Sequence, residues 1–300
     1  MWKTLYEQPG GDMAVNTWGV MITAAFAAAA YVVHHRTKKV GINPDWMVWL
    51  YVIAITAGLA GARLLHFTMA TPKEFFEDPM IYFRISQGGF ALLGGVILAG
   101  IGGVIFALYR GIDPMKMCDA VMPAVLLGVA IGRVGCFFAG CCHGSIAPLP
   151  DNAIALFPDS FSGGQLWLVP GPPFLLEMTN DGVGENHVIV LATQLYEVAA
   201  TLAIFLSMSW LWRRRRFDGQ VFGTTLMLYG LWRPFNETLR GDDVRGTEWF
   251  GFLSTSQVMS IPVFLIGLVI VLVKFRSGVK PERPFEPSDD DLVSGSTPTI

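Results

Sequence analysis

The chain has few charged side chains: they make up 15% of its 300 residues, whereas 52% of the residues are hydrophobic. Soluble domains carry about 25% charged residues, and a mean hydropathy of +0.48 also exceeds what such domains show. The net charge of −3 excludes little, because the charges are segregated along the chain. The shortage of charge therefore predicts a multi-span membrane protein.

Cysteine is also scarce, with four residues, of which Cys136, Cys141 and Cys142 lie close together. This number and spacing exclude a disulfide framework. Zinc prefers four spaced Cys or His ligands. Cys136 and Cys141 do not share a helix face well, and the neighbours Cys141 and Cys142 should diverge. We therefore expect no metal and no cofactor, and interpret these cysteines as packing groups or as a thiol facing the substrate. A metal site and a reversible disulfide are the minor alternatives.

Two further features are missing from the sequence. The first 13 residues carry Lys3 as their only basic residue, and the positive charge follows the first apolar run rather than preceding it. We therefore expect no cleaved signal peptide. The absence of an internal repeat argues against a transporter, since many transporters contain repeated halves.

Apolar runs long enough to cross a bilayer, which takes about 17–25 residues, occur seven times. They cover 14–33, 46–70, 89–110, 118–141, 188–212, 220–240 and 257–275. The predicted fold class is all-α: a polytopic membrane protein with seven transmembrane helices in a single transmembrane domain, 1–275.

Lys and Arg give the orientation of these spans. Basic residues follow spans one, three, five and seven, whereas segment 142–187 contains none. Because cytoplasmic ends collect positive charge, we predict an external N-terminus and a cytoplasmic C-terminus. Segments 70–88 and 142–187 are then external, and the aromatic residues of 142–187 favour a folded external cap. Residues 281–300 are acidic and rich in Ser, Thr and Pro, which predicts a disordered cytoplasmic tail.

Five ionisable residues lie inside the predicted spans, at a similar distance from their outer ends: Arg63, Arg133, Arg233, Glu197 and Glu237. At about 1.5 Å per residue, they lie roughly 5–15 Å below the outer surface. Charge at this depth is costly unless it is paired or faces water. The three Arg exceed the two Glu, and Arg suits phosphate recognition. We predict an outward-opening cavity for an anionic phospholipid headgroup; the alternative is an internal salt-bridge network without a ligand.

Several separate motifs keep a common spacing. They comprise Gly88-Gly89 with Gly94-Gly95, the stretch 132–144 around Arg133 and ending at Gly144, Gln194-Leu195-Tyr196-Glu197, the stretch 229–240, and the stretch 256–262. Together they resemble the motifs of the bacterial prolipoprotein diacylglyceryl transferase family. The resemblance runs from about Trp18 to Lys274.

This resemblance implies a reaction. The diacylglyceryl group of phosphatidylglycerol is transferred to the lipobox cysteine of a prolipoprotein, a thioether forms, and glycerol phosphate is released. The implied partners are phosphatidylglycerol, a prolipoprotein signal peptide with its lipobox, and membrane lipids, with no nucleic acid. The implied location is the bacterial plasma (inner) membrane, as a multi-pass monomer whose active site faces the outer leaflet. Cations would stabilise the departing phosphate, and the acceptor thiol must lose its proton.

The resemblance also assigns residues. Arg133 and Arg233 hold the phosphate and glycerol head, Glu237 orients Arg233, and Arg240 guards the external mouth. His143 and Cys141 are the nearest acid/base candidates. The predicted catalytic set is Arg133, Arg233, Glu237, His143 and Cys141. The predicted substrate-binding set is Arg63, Gly88, Gly89, Gly94, Gly95, Arg133, Gly144, Gln194, Tyr196, Glu197, Arg233 and Arg240.

The chain departs from the family pattern where proton handling is expected. Leu93 stands in place of a His and Trp18 in place of a Tyr, while Cys136 and Cys141 replace an Asn and a Glu. Two interpretations stay open. The chain is a transferase with shifted acid/base duties, or it is a relative that acts on another acceptor or only binds an anionic lipid.

Overall fold

The computed structural model describes residues 4–7, 14–43, 45–69, 92–139, 141–142, 144, 167–169, 175–179, 187–239 and 254–277. Helices dominate this part of the chain. They are α1 (Thr17–Lys39), α2 (Asp45–Met69), α3 (Leu92–Tyr109), α4 (Pro114–Ala139), α5 (Thr193–Arg214), α6 (Gln220–Thr238) and α7 (Thr255–Ser277). Each falls on one of the predicted apolar runs, so the helical prediction is confirmed for these segments.

Five of the described helices are long and apolar enough to cross a bilayer, namely α1, α2, α4, α5 and α7. The apolar stretch of α3, Gly94–Tyr109, is shorter than the others. The remaining helix, α6, carries Arg233, Asn236 and Glu237 near its end, and polar side chains lower the hydropathy of a helix. The polar residues of α6 belong to the candidate site described below.

Short antiparallel strands lie outside the helices. β1 (Thr4–Glu7) pairs with β2 (Ala14–Asn16), and β3 (Trp167–Val169), β4 (Leu175–Thr179) and β5 (His187–Leu191) form a sheet in that order. Leu175 pairs with Leu191, and Thr179 pairs with His187. The all-α prediction did not anticipate these strands. Segment 70–88, tail 281–300 and most of the predicted cap lie outside the described residues.

The chain divides into two compact units, and the smaller one holds residues 32–120. Within it, α2 and α3 pack along their length through small residues. A Cβ on Gly61 would overlap the carbonyl oxygen of Gly94 and lie 2.6 Å from Leu98 Cβ. A Cβ on Gly95 would lie 2.8 Å from Gly58 O. Close backbone approach through glycine is typical of helix pairs in membranes.

The other unit holds residues 1–31 and 121–281, and it uses the same kind of packing. A Cβ on Gly223 of α6 would lie 2.9 Å from Gly267 O of α7. A Cβ on Gly135 of α4 would lie 2.9 Å from Met21 Cβ of α1. These contacts fix α6 beside α7 and α4 beside α1, and so position the ends of α4 and α6, where the predicted charges lie.

Candidate active site

A buried carboxylate joins α5 to α6. Glu197 lies about one turn into α5 and is fully buried. Its Oε1 accepts a hydrogen bond from the Tyr229 hydroxyl at 3.1 Å, and its Oε2 accepts from Trp232 Nε1 at 3.2 Å and Asn236 Nδ2 at 2.5 Å. The three donors are three and four residues apart, so they share one face of α6. That face therefore binds the carboxylate and fixes the two helices together.

Arg233 lies on the same helix and connects three elements. Its Nη2 is 2.6 Å from Glu237 Oε2 and donates to Ser256 Oγ of α7 at 3.2 Å. Its Nη1 is 3.8 Å from Glu197 Oε2, which is too long for a hydrogen bond. Nη1 is buried and has no hydrogen-bond partner among the described residues. One edge of this guanidinium therefore keeps a donor for a ligand.

Arg133 lies within two turns of the end of α4 and is half-buried. Its guanidinium interacts electrostatically with Glu197 and Tyr229. Since Arg233 also borders Glu197, the two arginines are held near the same carboxylate. Arg133 donates no hydrogen bond to any residue of the described part of the chain, so its donors are available to an anion.

Two buried acceptors accompany these donors. Gln194 Oε1 and Asn236 Oδ1 are buried and accept no hydrogen bond from a described residue. A buried polar atom left without a partner costs about 1–3 kcal/mol, which a bound hydroxyl group can offset. The site thus offers guanidinium donors that suit phosphate oxygens and amide oxygens that suit the hydroxyls of a glycerol head.

The end of α4 is tied to the start of α5. Thr193 Oγ1 donates to Cys142 O at 2.9 Å, Gln194 Nε2 donates to Cys141 O at 2.8 Å, and Gly144 N donates to Leu191 O at 2.8 Å. Only glycine fits at position 144, because a Cβ there would lie 2.6 Å from Leu191 Cβ. Gln194 and Gly144, both predicted to bind substrate, therefore hold this junction in place.

The three cysteines converge at the same junction. The Sγ atoms of Cys136, Cys141 and Cys142 all lie within 4.8 Å of one another. The expectation that they diverge is wrong, because it assumed that the helix continues. Instead α4 ends at Ala139, Cys141 N donates back to Cys136 O at 3.2 Å, and Cys142 adopts a left-handed φ of 64°. This reversal brings both later sulfurs next to Cys136.

The Cys141 thiol, one of the two acid/base candidates, is exposed at this junction. Hydrogen bonds to Cys136, and then to Cys142, raise the pKa of this thiol above its usual range. Of the two acid/base candidates, His143 lies outside the described residues.

The remaining predicted residues fall into three groups. Arg63 belongs to the other unit, where it is buried with its guanidinium 5.0 Å from the Phe67 ring centre. Gly94 and Gly95 lie in the α2–α3 packing, and Tyr196 is half-buried on α5. Gly88, Gly89 and Arg240 lie outside the described residues. The described site therefore contains two arginines and two glutamates, and Arg63 lies in the other unit.

The sequence analysis did not predict four residues that form hydrogen bonds with Glu197 or Arg233: Tyr229, Trp232, Asn236 and Ser256. Tyr229 and Asn236 could have been placed beside Arg233 from the sequence, because they lie four residues before it and three residues after it and so share its helix face. A buried arginine and its acidic partner need further polar neighbours on that face. Trp232 is adjacent to Arg233 in the sequence, and adjacent residues do not share a helix face. Ser256 could not have been found in this way, because it lies at the start of a different helix.

Comparison with known proteins agrees with these motifs. A sequence model of the family described as prolipoprotein diacylglyceryl transferase matches residues 8–273. Three relatives are named phosphatidylglycerol–prolipoprotein diacylglyceryl transferase. The protein from Clostridium tetani is 28% identical over 277 residues, which is 92% of this chain and 99% of its own. The Bacillus mycoides protein is 30% identical over 92% of this chain and 94% of its own. The Corynebacterium glutamicum protein is 27% identical over 93% and 84%.

Proposed function

Since this chain belongs to the prolipoprotein diacylglyceryl transferase family, we propose that it transfers the diacylglyceryl group of phosphatidylglycerol to the lipobox cysteine of prolipoproteins. A thioether forms and glycerol phosphate leaves. The observation that carries the proposal is the placement of Arg133 and Arg233 around Glu197, with guanidinium donors left over. Cations placed in this way suit a phosphodiester whose charge grows as its ester bond breaks.

The membrane arrangement belongs to the same proposal. The chain crosses the bacterial plasma membrane seven times, because α3 lies along the spanning helix α2 and α6 lies along the spanning helix α7. Basic residues end α1, α5 and α7, so these ends are cytoplasmic. Glu197 and Arg233 lie at the opposite helix ends. The N-terminus is then external, the C-terminus is cytoplasmic, and the site opens to the outer leaflet.

The residues divide the work as follows. Arg133 and the free Nη1 of Arg233 bind the phosphate oxygens. Glu237 holds the other side of the Arg233 guanidinium at 2.6 Å and so orients it. Glu197 positions the face of α6 through its three hydrogen bonds. These groups stabilise the departing phosphate. Another group must deprotonate the acceptor thiol.

A second candidate function follows from the departures in the motifs. Leu93, Cys136 and Cys141 stand where the family carries groups that handle protons or hydrogen-bond the headgroup. A related membrane enzyme that transfers the same lipid group to another acceptor would keep the arginines and change these positions. A chain that binds anionic lipid without catalysis would do the same.

The decisive experiment uses the purified full chain in vesicles that contain phosphatidylglycerol. It compares Arg133→Gln with the matched control Arg213→Gln, an exposed arginine at the far end of α5. Loss of charged hydrogen bonds worth about 1.5–3 kcal/mol each should weaken phosphatidylglycerol binding roughly tenfold to a hundredfold in the Arg133 variant alone. Equal binding by both variants would contradict the phosphate role.

Acceptor specificity is scored in the same vesicles. A lipobox peptide should gain one diacylglyceryl group by mass spectrometry, and the same peptide with Ser in place of Cys should gain none. An unmodified Cys peptide, in the presence of intact lipid binding, would favour the second candidate function.

A further inference from the structure

We propose that Cys136, Cys141 and Cys142 form a binding site for one thiophilic divalent metal ion of the zinc class, with one coordination position left for a fourth ligand. The three Sγ atoms lie within 4.8 Å of one another. Thiolates are the ligands that zinc and related soft ions prefer. The reaction proposed above gives these three side chains no role.

The sulfurs are close enough to bind one ion with little movement. With a zinc–sulfur bond of about 2.3 Å, tetrahedral geometry separates two sulfurs by about 3.8 Å. The observed limit of 4.8 Å exceeds this by an amount that small side-chain rotations remove. Cys141 is exposed and the other two thiols are half-buried, so an ion can reach the sulfurs from solvent.

The backbone holds the site in a fixed conformation. Cys142 has a φ of 64°, which is rare for a residue other than Gly, Asn or Asp and points to a functional constraint when it is observed. Thr193 and Gln194 hold the carbonyls of Cys142 and Cys141 at 2.9 and 2.8 Å. Ligands that are held before binding bind a metal more tightly than ligands that must first be ordered.

Charge favours a divalent ion over a monovalent one. Three thiolates and one divalent ion carry a net charge of about −1, and a monovalent ion leaves about −2. The Arg133 guanidinium interacts electrostatically with Cys136 and Cys142. This positive charge lowers the electrostatic cost of the negative complex.

The fourth coordination position of the metal ion would bind the acceptor cysteine, and this role rests on the proposed transferase function. A thiol that coordinates such an ion is deprotonated, so the acceptor cysteine would bind as a thiolate and release its proton to water. Its sulfur then forms a bond to the glyceryl carbon. The bond between that carbon and the phosphate oxygen breaks, and its electron pair leaves with glycerol phosphate. This arrangement would replace the histidine whose position Leu93 occupies.

Metal binding is tested on the purified full chain, reduced and then freed of metal. Zn²⁺ is titrated against a chromophoric chelator, and Co²⁺ serves as a spectroscopic probe. We expect one Zn²⁺ per chain and a thiolate-to-cobalt charge-transfer band. Each of Cys136→Ser, Cys141→Ser and Cys142→Ser should weaken Zn²⁺ binding by more than the roughly 10- to 100-fold that changes outside a ligand shell cause.

The matched control is Cys118→Ser, which removes the fourth cysteine of the chain, also on α4 but outside the cluster. It should bind Zn²⁺ as the unchanged chain does. Circular dichroism of each variant separates loss of a ligand from loss of folding. Two outcomes would overturn the proposal: no Zn²⁺ binding by the folded chain, or a disulfide between two of the three cysteines that reductant does not open.

A separate readout distinguishes this site from the transferase function. Adding a lipobox peptide to the Co²⁺-loaded chain should shift the charge-transfer band, and the peptide with Ser in place of Cys should not shift it. If the band shifts but no lipid is transferred, the metal site stands and the proposed function fails. If transfer proceeds at an unchanged rate in the three cysteine variants, the function stands and the role of the metal in thiol activation fails.

Discussion

Among the described residues of the site, the Glu197 carboxylate has the most polar contacts, and the hydrogen bonds that it accepts come from α6. Tyr229, Trp232 and Asn236 donate to it, and Arg233 lies 3.8 Å away. A buried carboxylate with this many partners organises its surroundings, because each partner would otherwise be a buried donor without an acceptor. We therefore expect Glu197 to act as a positioning residue for Arg233.

Replacing this carboxylate tests that assignment. Glu197→Gln keeps the shape of the side chain but places an amide N–H donor opposite the donors of Tyr229, Trp232 and Asn236. Removing one member of a buried charged pair costs about 3–5 kcal/mol, so unfolding in detergent should occur at clearly lower denaturant concentration. The control Tyr229→Phe removes one hydrogen bond and should cost about 1 kcal/mol. Equal stability of the two variants would contradict the central place of Glu197.

The guanidinium of Arg233 is predicted to act through its geometry as well as its charge. Lysine keeps the charge in Arg233→Lys but cannot contact Glu237 and Ser256 while also offering a donor to a ligand. The loss of one or two charged hydrogen bonds should lower kcat/KM for phosphatidylglycerol roughly tenfold to a hundredfold. The comparison variant Arg213→Lys should transfer lipid at the rate of the unchanged chain. Full activity of Arg233→Lys would show that charge alone suffices.

At the scale of helices, glycine determines how closely α2 and α3 approach. In Gly61→Ala the new methyl group would overlap the Gly94 carbonyl and lie 2.6 Å from Leu98 Cβ. Overpacking of this kind costs about 1–3 kcal/mol, so the thermal midpoint in detergent should fall. Gly100 has nothing within 4 Å of an added Cβ. Gly100→Ala should therefore leave stability unchanged or raise it by roughly 0.5–1 kcal/mol. A midpoint for Gly61→Ala that matches that of Gly100→Ala would contradict the close crossing.

The helices could be predicted from the sequence because hydrophobic length is a local property. The pairing of Arg233 with Glu237 was also local, since residues four apart meet on one helix face. The contacts of Glu197 with Trp232 and Asn236 needed the angle between α5 and α6, which no local pattern gives. The cysteine cluster could not be predicted, because it depends on the left-handed backbone conformation at Cys142. Cysteine seldom adopts this conformation, so the residue type does not indicate it.

At the scale of the whole molecule, the positions of the two chain termini do not distinguish five membrane spans from seven. If neither α3 nor α6 crossed the membrane, the remaining five spans would leave both termini on the sides predicted for seven. The packing favours seven, because α3 runs beside α2 from Gly61 and Gly94 to Ile53 and Gly102. A helix held along its length by a spanning helix lies at the same depth. Its 18 residues reach about 27 Å, close to the hydrocarbon thickness of about 30 Å.

Reporter fusions at internal positions distinguish the two counts. Alkaline phosphatase, which is active only outside the cytoplasm, should be active after residue 80 or 245 and inactive after residue 112 or 217. A cytoplasm-specific fluorescent reporter should give the reverse pattern. With seven spans, Arg110 and Lys116 lie in the cytoplasm as the distribution of positive charge requires. Without α3 as a span, they would lie outside. Phosphatase activity after residue 112 would therefore show that α3 does not cross the membrane. It would also contradict the proposed orientation of α4, whose end carries Arg133.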